Sequence, residues 1–148
     1  MNKKKILRYT ILGFAGIMMI VIFIFSSQSA AISNKVSEFF TERVFSAFGF
    51  SERFVRKAAH FTEFFVLGSL VMIFLSTFDI KHFICALISV VGCTFYAAFD
   101  EFHQIFVSGR SGQISDVLLD TCGAVFGVSL VFLILYLISL AIFLFSFL

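Results

Sequence analysis

Histidines, carboxylates and basic residues recur at helical spacings in three parts of the chain, and such side chains can carry acid–base, metal-binding or ligand-binding chemistry. His60 and Glu63 are three positions apart, so a helix would place them on one face. Asp116 and Asp120 are four positions apart and share a face in the same way. The other candidates are Asp100, Glu101, His103 and Gln104, with the basic residues Arg56, Lys57 and Arg110.

The sequence leaves three interpretations of these residues open. In the first, Arg56, Lys57 and Arg110 form a purely structural network of interhelical ion pairs with Glu63, Asp100, Asp116 and Asp120. In the second, the same groups line a polar pocket that binds a ligand. In the third, the protein is a membrane-embedded hydrolase or transferase that uses a divalent metal such as zinc, with candidate metal ligands His60, Glu63 and His103. The candidate catalytic residues, which would activate a water molecule, are then Glu63, Asp100 and His103.

The amino-acid composition indicates that the segments carrying these residues are surrounded by lipid. The chain has 148 residues, of which 60% are hydrophobic and only 14% charged, and its mean hydropathy is +1.06. Soluble domains have roughly 45–50% apolar and about 25% charged residues, so part of this chain must face lipid. The net charge is only +2, and no basic stripe is present, so we expect no nucleic-acid partner.

Four apolar stretches are long enough to cross a bilayer as helices, since about 20 residues suffice. They run over about 6–25, 58–78, 83–99 and 117–138. The sequence therefore predicts an all-α membrane protein, a four-transmembrane-helix bundle that makes residues 1–148 a single domain. Gly123 and Gly127 form a GxxxG face on which a neighbouring helix can pack closely. The apolar run continues past Ile138, and we expect the tail from Ser139 to be bent, tilted or interfacial.

An amphipathic interfacial helix is predicted between the first and second spans, over about 34–48. Its apolar positions follow a period of 3.6 residues: Val36, Phe39, Phe40, Val44, Ala47 and Phe48. Ser33 or Asn34 can cap its start and Gly49 can end it. Such a helix would lie on the outer leaflet or pack over the bundle, and in both cases it roofs the outer end.

Basic residues at the start of the chain predict the orientation. Lys3, Lys4, Lys5 and Arg8 favour a cytoplasmic N-terminus, and four spans return the C-terminus to the same side. The first apolar run is longer than the core of a cleaved signal peptide, so we expect it to be retained. Of the nine acidic residues, all but Asp79 then lie at or beyond the outer face. Unpaired charges at such depth cost about 2.5–3.5 kcal/mol each, so these groups must pair, bind an ion or line a wet cavity.

An ordered set of short motifs resembles the VanZ-like family, named for a protein associated with resistance to the glycopeptide teicoplanin. The motifs are Phe25-Ser26-Ser27-Gln28-Ser29, Arg56-Lys57-Ala58-Ala59-His60-Phe61-Thr62-Glu63-Phe64, Asp100-Glu101-Phe102-His103-Gln104, Gly109-Arg110, and the segment from Asp116 to Gly123. The set covers about 25–127. Where the family often has a proline before Gly-Arg, this chain has Ser108, which leaves the loop less rigid.

The resemblance implies a multi-pass plasma-membrane protein of bacteria that protects the cell envelope and contributes to glycopeptide or lipoglycopeptide resistance. Its partners besides the lipid bilayer would be a lipid-linked cell-wall precursor or a lipoglycopeptide. The resemblance adds residues of the first motif to those that the spacing selects. The expected ligand-binding set is Ser27, Gln28, Arg56, Lys57, His60, Glu63, Asp100, Glu101, His103, Gln104, Arg110, Asp116 and Asp120.

Overall fold

The computed structural model describes residues 2–43 and 51–146, and every regular element in these ranges is a helix. The five helices in chain order are α1 (Lys3–Ser26), α2 (Ala30–Arg43), α3 (Glu52–Ser76), α4 (His82–Gln104) and α5 (Ile114–Phe145). Four of them, α1, α3, α4 and α5, are long and apolar enough to cross a membrane. The prediction of an all-α protein with four membrane spans is therefore confirmed.

Glycines bring α3 and α5 into close contact, and this pair forms the centre of the bundle. A Cβ atom added at Gly123 would collide with the carbonyl oxygen of Phe61, and one at Gly127 with that of Phe65. From the other side, a Cβ at Gly68 would lie 2.7 Å from the carbonyl oxygen of Ala124. The close approach predicted from the GxxxG face is therefore present, and it turns the adjoining Asp120 toward protein.

Side-chain contacts show which helix ends lie together. The Ser26 hydroxyl at the end of α1 reaches Asp100 near the end of α4, and Lys57 near the start of α3 reaches Asp116 at the start of α5. We call this end of the bundle the polar end. At the opposite end, Arg8 donates two hydrogen bonds to Thr77, which follows α3. Asp79 lies in the turn beside Thr77, away from the acids of the polar end.

The helix between the first two spans begins earlier than predicted. It starts at Ala30 rather than near 34, because the carbonyl of Ser29 accepts the first helical hydrogen bonds. The proposed caps, Ser33 and Asn34, therefore lie inside the helix. Phe39 and Phe40 are exposed, as a lipid-facing surface would be, whereas the small residues Ser33 and Ser37 are buried against the protein. The remaining predicted apolar positions, Val44, Ala47 and Phe48, and the predicted end at Gly49 lie outside the described residues.

The last helix runs unbroken from Ile114 to Phe145, so it continues past the predicted end of the span at Ile138. Ser139 donates to the carbonyl of Leu135 within the helix and does not interrupt it. At about 1.5 Å per residue, 32 residues span about 48 Å, more than the roughly 30 Å of hydrocarbon. A tilted or interfacial end of α5 stays a prediction.

Candidate functional site

A buried carboxylate on α4 connects this helix to the end of α1 at the polar end. Asp100 is fully buried, and its Oδ2 atom accepts a hydrogen bond of 2.6 Å from the Ser26 hydroxyl. The side-chain amide of Gln104 donates to the same Oδ2 over 3.0 Å and to Ser26 Oγ over 2.9 Å. Gln104 therefore fixes α1 against α4 and orients Asp100, because charge-assisted bonds are stronger than neutral ones.

The loop between α4 and α5 is held by a second carboxylate. Glu101 accepts from the Gln104 amide through Oε1 and from the backbone N–H of Gln113 through Oε2, at 3.1 and 2.9 Å. A Cβ at Gly112 would lie 2.6 Å from the Glu101 carbonyl oxygen, so only glycine fits at this approach. Gly109 has a φ of 75°, which glycine adopts without strain. The loop is thus folded back over the end of α4.

Arg110 lies in this loop and reaches across the mouth of the bundle. Its guanidinium donates to Gln104 Oε1 and to the backbone carbonyl of Phe25, both over 3.1 Å. Burial lowers the pKa of the Arg110 guanidinium, and the nearby Arg56 cation acts in the same direction. The carboxylates of Asp100, Glu101 and Glu63 act in the opposite direction on this pKa. Guanidinium groups match the geometry of anionic groups such as phosphate and carboxylate.

The basic residues do not neutralise the acids as the ion-pair interpretation requires. Lys57 pairs with Asp116 at 2.6 Å, but this is the one pair between a lysine or arginine and a carboxylate within 4 Å among the described residues. Arg56 donates to the neutral amide of Asn34 on α2, over 2.9 Å. A closed network that joins Arg56 and Arg110 to Glu63, Asp100 and Asp120 is therefore not present in this part of the chain.

Several acidic and imidazole groups of the polar end lack hydrogen-bond partners among the described residues. Both oxygens of Asp120 are buried without a partner, and so is Oδ1 of Asp100. His60 Nδ1 lies 3.6 Å from Glu63 Oε2, too far for a hydrogen bond. Buried polar groups without a partner are costly in hydrocarbon. Of these groups, Asp120, His60 and Glu63 line a cavity and could be reached by a bound molecule.

Two cavities meet at these residues. The first, which we call the polar cavity, has a volume of about 100 Å³ and lies between α3, α5 and the α4–α5 loop. The second, the apolar cavity, has a volume of about 160 Å³ and lies between α2 and α3. Both are lined by Arg56, His60 and Arg110, which therefore stand at the boundary between them.

Most of the predicted binding residues line one of the two cavities. The polar cavity is lined by Lys57, Glu101, Gln104, Asp116 and Asp120, and the apolar cavity by Gln28 and Glu63, besides the three residues that both share. Asp100 lines neither cavity, but it is bonded to Gln104, which lines the polar one. The structure thus brings the polar stripes of three long helices together at one end of the bundle.

Two predicted binding residues lie elsewhere. Ser27 is exposed and donates to the carbonyl of Phe23 in its own helix. The ring of His103 packs on the ring of Phe23, with 4.6 Å between the ring centres, and lines neither cavity. His103 is displaced because residues 100, 101 and 104 occupy the buried face of α4, which turns position 103 toward α1.

The geometry does not support the predicted metal site. Within residues 2–43 and 51–146, no group of three or more histidine, cysteine, aspartate and glutamate side chains is arranged to hold a metal ion. His60 and Glu63 are neighbours, but the third proposed ligand, His103, is packed against α1. The structure therefore does not bring His60, Glu63 and His103 together as a metal site, and metal binding by these residues stays an untested prediction.

Comparison with known proteins identifies the family. The chain matches the VanZ-LLP1 family model, described as VanZ/LLP1, over residues 11–139. The protein belongs to the VanZ/LLP1 family. No curated protein and no solved structure gives a match to it. The matched region of this VanZ/LLP1 protein includes all four membrane spans, at least in part, and both cavities described above.

Sequence reasoning missed three residues that organise the site of this VanZ/LLP1 protein. Ser26 bonds Asp100, Asn34 bonds Arg56, and the backbone of Gln113 bonds Glu101. Ser26 could have been found, because it lies at the end of the first span in the motif Phe25-Ser26-Ser27-Gln28-Ser29. The other two could not, since the Asn34 contact depends on the position of α2 and the Gln113 contact uses a backbone group.

Proposed function

We propose that this VanZ/LLP1 protein protects the cell envelope, and contributes to glycopeptide or lipoglycopeptide resistance, by binding an anionic lipid-linked or peptide ligand at the polar end. The candidate partners are a lipid-linked cell-wall precursor and a lipoglycopeptide. In this proposal both termini are cytoplasmic, so the polar end opens at the outer leaflet of the plasma membrane. The helix α2 lies at the interface with Phe39 in lipid.

The observation that carries the proposal is the position of two arginines that have no carboxylate partner. Arg56 and Arg110 both line the two cavities, and neither is within 4 Å of a carboxylate among the described residues. Guanidinium groups match phosphate and carboxylate geometry, and hydrogen bonds to charged groups contribute about 1.5–3 kcal/mol. An anionic group at the boundary of the cavities would give both guanidinium groups a charged partner.

Antibiotic protection by an Arg110 variant tests this proposal. The chain is expressed in a susceptible bacterial host, and the lowest inhibitory concentration of teicoplanin is measured at matched amounts of membrane-inserted protein. We expect Arg110→Ala to reduce protection to the level of the empty vector, and Arg110→Lys to retain part of it. The matched control is Arg53→Ala, because Arg53 is exposed on α3 and lines neither cavity.

Two results would count against the proposal. If Arg110→Ala gives full protection, Arg110 does not bind the anionic ligand on which protection depends. Loss of protection by Arg53→Ala as well would indicate that any change of charge at the outer face acts through surface potential and that the pocket is not involved.

A further inference from the structure

The floor of the polar cavity carries a carboxylate that the anion-binding role does not use. Asp120 lines this cavity from α5, and its side chain is 1% exposed. Neither of its oxygens accepts a hydrogen bond from any residue in the described ranges. A buried carboxylate in such a position is stabilised by a cationic partner with several donors.

The charges around the cavities also leave an excess of acid. Five carboxylates belong to the polar end: Glu63, Asp100, Glu101, Asp116 and Asp120. Three basic residues face them, namely Arg56, Lys57 and Arg110, and Lys57 is already paired with Asp116. A proton could neutralise Asp120, but it would not supply donors to both oxygens. A primary ammonium has three N–H donors and could serve both.

The size of the cavity and its side chains favour an ammonium group over a metal ion or a sugar. The polar cavity is small, with a volume of about 100 Å³, and most of the side chains that line it are charged or carry an amide. Within the described ranges, no group of three or more histidine, cysteine, aspartate and glutamate side chains is arranged to hold a metal ion. The polar cavity thus combines two guanidinium groups at its rim with one unpartnered carboxylate at its floor.

The apolar cavity indicates that the molecule carrying the ammonium is an amphiphile. Phe25, Val36, Phe40 and Val55 line this cavity, which adjoins the polar one at Arg56, His60 and Arg110. A hydrocarbon chain placed there would leave its head group at the two arginines. A soluble amino compound would use only the polar cavity.

We propose that the ligand is a phospholipid-like amphiphile with a zwitterionic head group, whose phosphate binds Arg56 and Arg110 and whose primary ammonium binds Asp120. The hydrocarbon chain lies in the apolar cavity. This inference rests on the proposed function for its anion site, and it adds the ammonium and the chain.

Lipid binding by the purified full-length protein in detergent tests the proposal with defined probes. The probes are short-chain phosphatidylethanolamine, phosphatidylcholine and phosphatidic acid with identical chains, and soluble phosphoethanolamine. We expect phosphatidylethanolamine to bind at least about tenfold more tightly than the other three, because it alone combines N–H donors for Asp120 with a hydrocarbon chain. Phosphatidylcholine has no N–H donor, phosphatidic acid has no ammonium, and phosphoethanolamine has no chain.

Matched variants then assign the preference to the carboxylate. Asp120→Asn keeps the shape of the side chain and removes its charge, and we expect it to bind the three lipids with equal affinity. Asp79→Asn is the control, because Asp79 is exposed at the opposite end, and it should keep the full preference. If Asp120→Asn fails to fold, the discrimination among the four probes by the unmodified protein still decides the matter.

The outcomes separate this inference from the proposed function. Equal affinity of the unmodified protein for all three lipids, or an unchanged preference in Asp120→Asn, would overturn the ammonium site. Equal affinity for phosphoethanolamine and phosphatidylethanolamine would overturn the amphiphile. In each of these cases, loss of lipid binding in Arg110→Ala would still support the proposed function, because it would show that Arg110 binds an anionic group. If Arg110→Ala binds lipid as well as the unmodified protein does, both proposals are overturned.

Discussion

Ser26 and Asp100 are 74 positions apart in the chain, yet the serine hydroxyl donates to Asp100 Oδ2 over 2.6 Å, and both side chains are fully buried. This bond fastens the end of α1 to the end of α4 beside the polar cavity. Gln104 donates to both partners, so the three side chains form one connected group. This part of the polar end is therefore held together by a buried network.

Removal of the Ser26 hydroxyl should destabilise the protein. In Ser26→Ala, Asp100 loses its shortest hydrogen bond, and an incompletely satisfied buried carboxylate costs about 1–3 kcal/mol. Thermal unfolding in detergent should show a lower midpoint than for the unmodified protein. The control is Ser27→Ala, whose hydroxyl is exposed and bonds only its own helix. Equal midpoints for the two variants would show that the buried bond contributes nothing.

A methyl group at Gly123 should disrupt the contact between α3 and α5. Its Cβ would clash with the carbonyl oxygen of Phe61. Because this oxygen belongs to the backbone, the clash can be relieved only if the two helices move apart. Overpacking of this kind costs about 1–3 kcal/mol, so Gly123→Ala should give less folded protein and a lower unfolding midpoint. In Gly92→Ala the new Cβ has no neighbour within 4 Å, and stability should be kept or increased. A stable Gly123→Ala variant would contradict the close packing.

The ion pair between Lys57 and Asp116 should contribute little to stability. Its side chains are 38% and 29% exposed, and pairs that water reaches are worth about 0.2–1 kcal/mol. A double-mutant cycle with Lys57→Gln and Asp116→Asn, followed by thermal unfolding, should give a coupling energy in that range. Coupling much larger than this would mean that the pair is desolvated and supports the bundle, as the purely structural interpretation requires.

The sequence predicted the membrane spans well because apolar length alone determines them in lipid. It also predicted which end carries the acids, since that follows from the alternating directions of the spans. Position 103 shows the limit of helical spacing. Positions 100, 103 and 104 lie on one broad face of a helix, and packing against α1 decides which of them reach the cavity.

The partners of the charged side chains could not be predicted from the sequence either. The sequence allowed Arg56 and Arg110 to pair with Glu63, Asp100 and Asp120. In the structure, the fold of the loop directs Arg110 to Gln104 and to a backbone carbonyl instead. Arg56 bonds Asn34 on a helix whose start was misplaced by about one turn. Such contacts depend on loop geometry, which composition and periodicity do not determine.

The orientation of the bundle is testable with a membrane-impermeant thiol reagent on intact cells. Ser111→Cys places an exposed thiol in the α4–α5 loop, and Asp79→Cys places one in the α3–α4 turn. Because the N-terminal lysines favour the cytoplasm, we expect Ser111→Cys to react in intact cells and Asp79→Cys only after permeabilisation. The unmodified protein, with its three native cysteines, gives the background. The opposite labelling pattern would place the polar end in the cytoplasm.

The most direct test of the ligand-binding account is the identity of the lipids that remain bound when the protein is purified in mild detergent. Native mass spectrometry should detect a phosphate-bearing amphiphile on the unmodified protein and on Arg53→Ala, and the occupancy should fall strongly in Arg110→Ala. Equal occupancy in all three proteins, or no retained amphiphile on any of them, would contradict the claim that Arg110 holds an anionic ligand between the two cavities.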